Sequence, residues 1–158
     1  KHIYNMANVD DIMLQEGMQF NTLQDDILYM VLAGSKFAKE LNGEIRKRRF
    51  VTDTTPATKE SCTISSLSLP AGSVQLGTSH VNIIVPDKTD CTAQSVARTF
   101  DVNTERIKQL AGLAYVVLRE HYCENGWSYT CAEQDVIAEP QMQAHRLWFK
   151  ISFNFHNY

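Results

Sequence analysis

Cysteines at positions 62, 91, 123 and 131, and histidines at 2, 80, 121, 145 and 156, are the side chains best suited to redox, metal or nucleophilic chemistry. The cysteine gaps of 29, 32 and 8 residues contain no C-x-x-C pair, so the spacing offers neither a zinc ribbon nor a thioredoxin-type dithiol. His121 and Cys123 are metal-competent residue types, yet H-x-C needs further ligands, and a disulfide uses the same cysteines more simply. There is no H-E-x-x-H helix, no G-x-S-x-G elbow and no G-x-x-x-x-G-K-[ST] phosphate loop. The histidines are scattered, and none stands in a local arrangement with a nucleophile. We therefore expect no catalytic residue, no metal ligand and no cofactor.

What the cysteines offer is cross-linking. Four of them permit three pairings. Cys123 and Cys131 bracket a short segment whose Asn125-Gly126 can reverse the chain, which favours Cys123–Cys131 with Cys62–Cys91 as the second bridge. Closing such loops stabilises by about 2–4 kcal/mol each and implies an oxidising compartment, periplasmic or extracellular. Four buried free thiols are the competing reading.

A tethered loop carrying aromatics can anchor a partner at low ordering cost. Tyr122, Asn125, Trp127 and Tyr129 at the 123–131 loop are accordingly candidate partner-binding residues. The competing reading has Trp127 and Tyr129 covering the edge of the core.

A second local pattern, residues 93–110, resembles a helix-turn-helix. Ala97 occupies the close-packing position, Val96, Phe100, Val102, Ile107 and Leu110 take the apolar offsets, and Arg98, Arg106 and Lys108 lie outside. That resemblance implies DNA binding, although Asp101 replaces the usual turn glycine. Phosphate neutralisation needs a basic domain, whereas residues 101–122 balance three acids against three bases. No nucleic acid is expected as a partner.

These candidates need elements to position them. The 158 residues are 44% hydrophobic and 21% charged with net charge −3, as expected for one globular domain, residues 1–158, with a single core. No apolar run approaches the length of a membrane span, so a membrane contact would need a segment preceding Lys1. Met13, Phe20, Leu23, Ile27, Met30, Phe37 and Leu41 recur at steps of three and four, with Gly34 on the same stripe. The spacing predicts one amphipathic helix from about Val9 to Leu41, about 50 Å long. Phe20, Ile27 and Gly34 on that seam are candidate contacts for a partner helix or a second copy. Residues 43–50 then carry a local charge of +3, and 51–61 read as a surface loop.

Beyond Cys62 the periodicity is extended. Strands are expected over Cys62–Leu69, Val74–Leu76 and His80–Val85, and the alternation of Phe149, Ile151, Phe153 and Phe155 with polar residues marks a strong strand. Thr92–Phe100 and a helix from Asn103 or Thr104 to about Tyr122 form a helical insert.

This order predicts an α+β fold: a long N-terminal amphipathic helix (1–42) packed on an antiparallel sheet within a disulfide-bonded body (62–158), with a helical insert and two disulfides. The layout resembles that of type IV pilins and minor pilins, which implies an extracytoplasmic structural or assembly subunit working by protein–protein interaction or self-assembly through its helix. A DNA-binding regulator using 93–110 and a small secreted enzyme or inhibitor are the alternatives.

Overall fold

A computed structural model describes residues 8–48, 56–90 and 99–157. The expected helix over Val9–Leu41 does not form. In its place stand a 3-10 turn, Val9–Asp11, an extended stretch to Phe20, helix α1, Asn21–Ala33, and a short helix α2, Lys36–Glu40. Gly17 sits at φ 93°, a conformation no right-handed helix contains. The Gln19 backbone N–H donates to Oε1 of Gln75 at 2.8 Å, and its carbonyl accepts from Nε2 of the same amide at 3.1 Å. The segment before α1 is thus bonded to the sheet instead of to its own next turn. At the far end Ser35, with φ −102° and ψ 170°, separates the two helices. The apolar stripe is divided accordingly: Ile27, Phe37 and Leu41 enter the core, while Met13 and Phe20 are 71% and 56% exposed.

The strands are β1, Ile45–Lys47; β2, Ser61–Ser66; β3, Val74–Pro86; β4, Lys88–Asp90; and β5, Thr99–Asp101. Helix α3, Thr104–Leu118, follows, then β6, Glu120–Cys123, β7, Trp127–Glu139, and β8, Ala144–His156. Six strands form one curled sheet in the order β1-β2-β3-β8-β7-β6, with β1 parallel to β2 and every other neighbour antiparallel. β4 and β5 pair separately. The fold is therefore mainly a curled sheet carrying short helices, and it differs from the predicted one in having no long N-terminal helix and, among the described residues, no disulfide.

One face of the sheet is the core face. β8 presents Leu147, Phe149, Ile151, Phe153 and Phe155 to it, β3 presents Val81, Ile83 and Val85, and all are buried. α1 and α3 pack there with Ile27, Leu28 and Leu32, and with Ile107, Leu110, Ala114 and Leu118. Each fully buried Ile, Leu or Phe contributes about 1.5–3 kcal/mol of transfer free energy, so this cluster, more than helix propensity, fixes the arrangement. The two expected strands 74–76 and 80–85 are one strand, because Gly77 stays in the ladder opposite Phe153. A Cβ at Gly77 would stand 2.6 Å from Oε1 of Gln24, so its missing side chain admits the buried Gln24 amide.

The opposite face is polar. Register aligns Asn82, Trp148 and Asp135 in one row and His80, Lys150 and Glu133 in the next. β7 reaches this register through a bulge, the pairing stepping from Cys131↔Ile151 to Glu133↔Lys150 and leaving Ala132 without a partner.

α3 ends at Leu118, earlier than the Tyr122 expected, and the chain turns directly into β6. Its N-cap is Asn103, whose side chain accepts from the Arg106 N–H at 3.3 Å. No helix among the described residues is long and apolar enough to cross a membrane.

Candidate functional site

The proposed Cys123–Cys131 bridge is excluded by hairpin register. β6 and β7 pair Cys123 with Trp127 and Glu120 with Thr130, and the Cys131 N–H donates to the Arg119 carbonyl at 2.9 Å. The two cysteines are therefore about four residues, roughly 13 Å, apart along the hairpin, well beyond the reach of a disulfide. Cys62, Cys123 and Cys131 are free thiols. Cys62 is fully buried on β2, and burial pushes its thiol far up, so it is inert core. Cys91, its expected partner, lies outside the described residues, as do positions 93–98 of the helix-turn-helix pattern. The argument from cysteines to an oxidising compartment loses its basis with the bridges.

The hairpin nonetheless organises a site. Trp127 and Tyr129 point to the core face, 1% and 2% exposed, so the aromatic pair covers the core. The His121 ring stacks on both, with centroids 5.3 Å and 5.8 Å away. The Tyr129 hydroxyl donates to the Val117 carbonyl at 2.7 Å, and burial together with Asp10 holds its phenol well above the usual range. Asn125 donates from Nδ2 to the carbonyls of Asp10 (2.9 Å) and Ile12 (3.1 Å), while His121 Nε2 lies 2.6 Å from the Asp10 carboxylate. These bonds fasten the 3-10 turn at Val9–Asp11 to the hairpin. Of the residues read as partner contacts, Asn125 thus makes an internal clamp, Ile27, Trp127 and Tyr129 are core, and Tyr122, Phe20 and Gly34 are exposed.

Gly34 has company. Between the C-terminal ends of α1 and α3 and the clamped turn runs a groove of about 560 Å³. Met30 and Val31 from α1 and Val116 and Val117 from α3 form its apolar walls, Gly34 lines one end without a side chain, and Glu120 and His121 stand at the hairpin end. Val116 is 77% exposed and its neighbour Tyr115 is 44% exposed, so the α3 wall is apolar where a solvated helix would be polar. Among the described residues, no Ser, Thr, Cys or Lys lines the groove, and the Tyr129 hydroxyl is committed to Val117. Among the described residues no cluster of three His, Cys, Asp or Glu could hold a metal ion.

Sequence reasoning found Gly34 but missed Met30, Val116 and Val117 as groove residues: it places Met30 and Val117 on apolar stripes and gives Val116 no role. The usable signal was the pair Tyr115-Val116 on a helix whose buried positions are 107, 110, 114 and 118. Those two residues fall outside that stripe. Arg106, one of the three cations required by the DNA-binding alternative, is bonded to Glu40 and Glu60.

The chain matches no protein-family model, and no curated protein matches it in sequence.

Proposed function

We propose that this domain is a non-enzymatic assembly or adaptor subunit that docks a protein partner in the groove between α1 and α3. The observation that carries the reading is the exposed apolar wall at Val116, facing Met30 and Val31 across a groove that Gly34 leaves open at one end. Apolar surface rimmed by polar groups is typical of partner-binding sites on folded domains. With Glu120 at the rim, the matching element is an apolar side chain flanked by a basic residue on a partner segment. The pilin-like layout is not part of this proposal, since the long helix on which it rested does not form and the described residues hold no disulfide.

Site-specific photo-crosslinking in the producing cells tests it. A crosslinker at Val116 is expected to give one discrete adduct, whereas one at Glu105, exposed at the opposite end of α3, gives none. Equal adduct patterns from both positions would contradict the reading.

A further inference from the structure

On the face of the sheet opposite α1 and α3, a second concavity of about 550 Å³ lies between β2, β3 and β8. Its chemistry differs from that of the groove. Arg48 and Arg146 flank it, Glu139 lines it as the partner of Arg146, Thr63 and Ser65 supply hydroxyls, and Leu67, Ile84 and Met142 supply apolar surface.

Both guanidinium groups are held in place. Arg146 donates Nε to Glu139 at 2.7 Å and Nη1 to Asn82 at 3.1 Å, which leaves Nη2 without a partner among the described residues. Arg48 is ion-paired through Nε with the buried Asp25, whose other oxygen accepts from Ser66 at 2.6 Å. The hydroxyls of Thr63 and Ser65 have no hydrogen-bond partner among the described residues. A planar, pre-oriented guanidinium beside free hydroxyls suits a carboxylate.

Burial first, then Lys150 and Arg146, holds the His80 imidazole on the same face below its usual range, while Asp25 and Glu139 each pair with one of the two arginines. The volume falls in the ordinary range for small-molecule sites, about 300–1,000 Å³. Leu67, 53% exposed at the rim, and Ile84 on the floor call for a short apolar body next to the anionic head. Residues 49–55, which follow Arg48, lie outside the described residues and are no part of the site.

We propose that this cleft binds a small amphipathic carboxylate, its anionic head between Arg48 and Arg146 and its apolar body against Leu67, Ile84 and Met142. The proposal is independent of partner docking in the α1–α3 groove.

The test uses the full chain and sodium octanoate, followed by amide chemical-shift mapping, with inorganic phosphate as the comparison anion. Octanoate is expected to shift the amides of Thr63, Asn82 and Arg146 saturably, and phosphate to do so at least about tenfold more weakly because it leaves the apolar wall unused. Ser65→Asp places a carboxylate in the cleft and should weaken octanoate at least about tenfold, while Thr104→Asp, exposed on α3 away from the cleft, adds the same charge and keeps it within about twofold. If S65D unfolds, Leu67→Glu, at an exposed position, makes the same comparison. Octanoate shifts that fall elsewhere or are absent would overturn the proposal. So would binding unchanged in S65D and L67E, and phosphate binding as tight as octanoate would overturn the ligand class.

Discussion

Arg106 grips Glu60 with two nitrogens of its guanidinium, Nε to Oε2 at 2.5 Å and Nη2 to Oε1 at 2.9 Å. Glu60 is only 4% exposed, and Oε1 also accepts the Asn42 N–H at 3.0 Å, while the Glu60 N–H donates to Asn42 Oδ1 at 2.7 Å. One carboxylate thereby ties the first turn of α3 to the end of α2 and the approach to β2. The same pair shows why charge patterning can mislead: Arg106, basic and outward on a helical wheel, is part of the scaffold.

Removing this carboxylate strands a partly buried guanidinium and an amide donor, so Glu60→Ala should cost about 2–3 kcal/mol in urea unfolding. The bonds from Arg106 and Asn42 outweigh desolvation and lower the Glu60 pKa below its ordinary value of 4.5. A carboxyl lowered in the folded state contributes its full stability above the unfolded pKa and loses it as pH falls through the folded one. Acid unfolding of the wild type should therefore steepen below about pH 4.5, and E60A should lack that component. An unfolding free energy for E60A within 0.5 kcal/mol of wild type, a limit expected of bland surface changes, would contradict this assignment.

His80 acts at higher pH. Burial first, then Lys150 and Arg146, holds its pKa below 6.5 in the folded chain. The unfolded chain takes up this proton first, so stability declines as pH falls from about 6.5 toward the folded pKa. His80→Gln should flatten the unfolding midpoint against pH between about 7 and 5 relative to wild type. Parallel profiles for the two proteins would remove His80 from the account.

The thiols should react in the order of their exposure. Cys131 is half-buried, Cys123 is 3% exposed and Cys62 is inaccessible. Among the three described thiols, an aromatic disulfide reagent on the native chain should label Cys131 first and Cys62 only on unfolding, and denatured chain without reductant should label Cys62, Cys123 and Cys131 alike. A peptide mass for a Cys123–Cys131 bridge would contradict the hairpin register.

The distal half of β7 is an edge, since β6 pairs only with Trp127–Thr130. There the Asp135 carboxylate accepts the Val136 N–H at 2.8 Å, occupying a donor that an incoming strand would use, and Glu133 and Glu139 add charge along the same strand. Asp135→Ala should raise self-association at high concentration, read by sedimentation velocity. A D135A chain that sediments as the wild type does at every concentration would show that this bond has no such protective role.

Legibility in the sequence followed how cleanly one face of an element is buried. Phe149–Phe155 reads as a strand because every second residue is core and the rest face solvent. β7 hides because its bulge at Ala132 resets the alternation and both faces of residues 132–136 are exposed. The N-terminal seam reads as one helix because spacing carries no record of the Gln19–Gln75 bonds that pull its first third onto the sheet. The eight-residue cysteine spacing looks like a bridge until the turn is centred on residues 124–126, which sets Cys131 opposite Arg119. Gly34 was legible as a place of close approach, whereas the groove needed α3 to arrive beside it, a long-range relationship without a local signature.

Docking between α1 and α3 is tested most directly by the affinity of the partner captured at position 116 for wild-type chain and for Val116→Arg, measured calorimetrically. Val116 is 77% exposed, so this substitution should leave the unfolding midpoint unchanged. Affinity at least about tenfold weaker in V116R is the predicted result, and equal affinity for the two chains would contradict it.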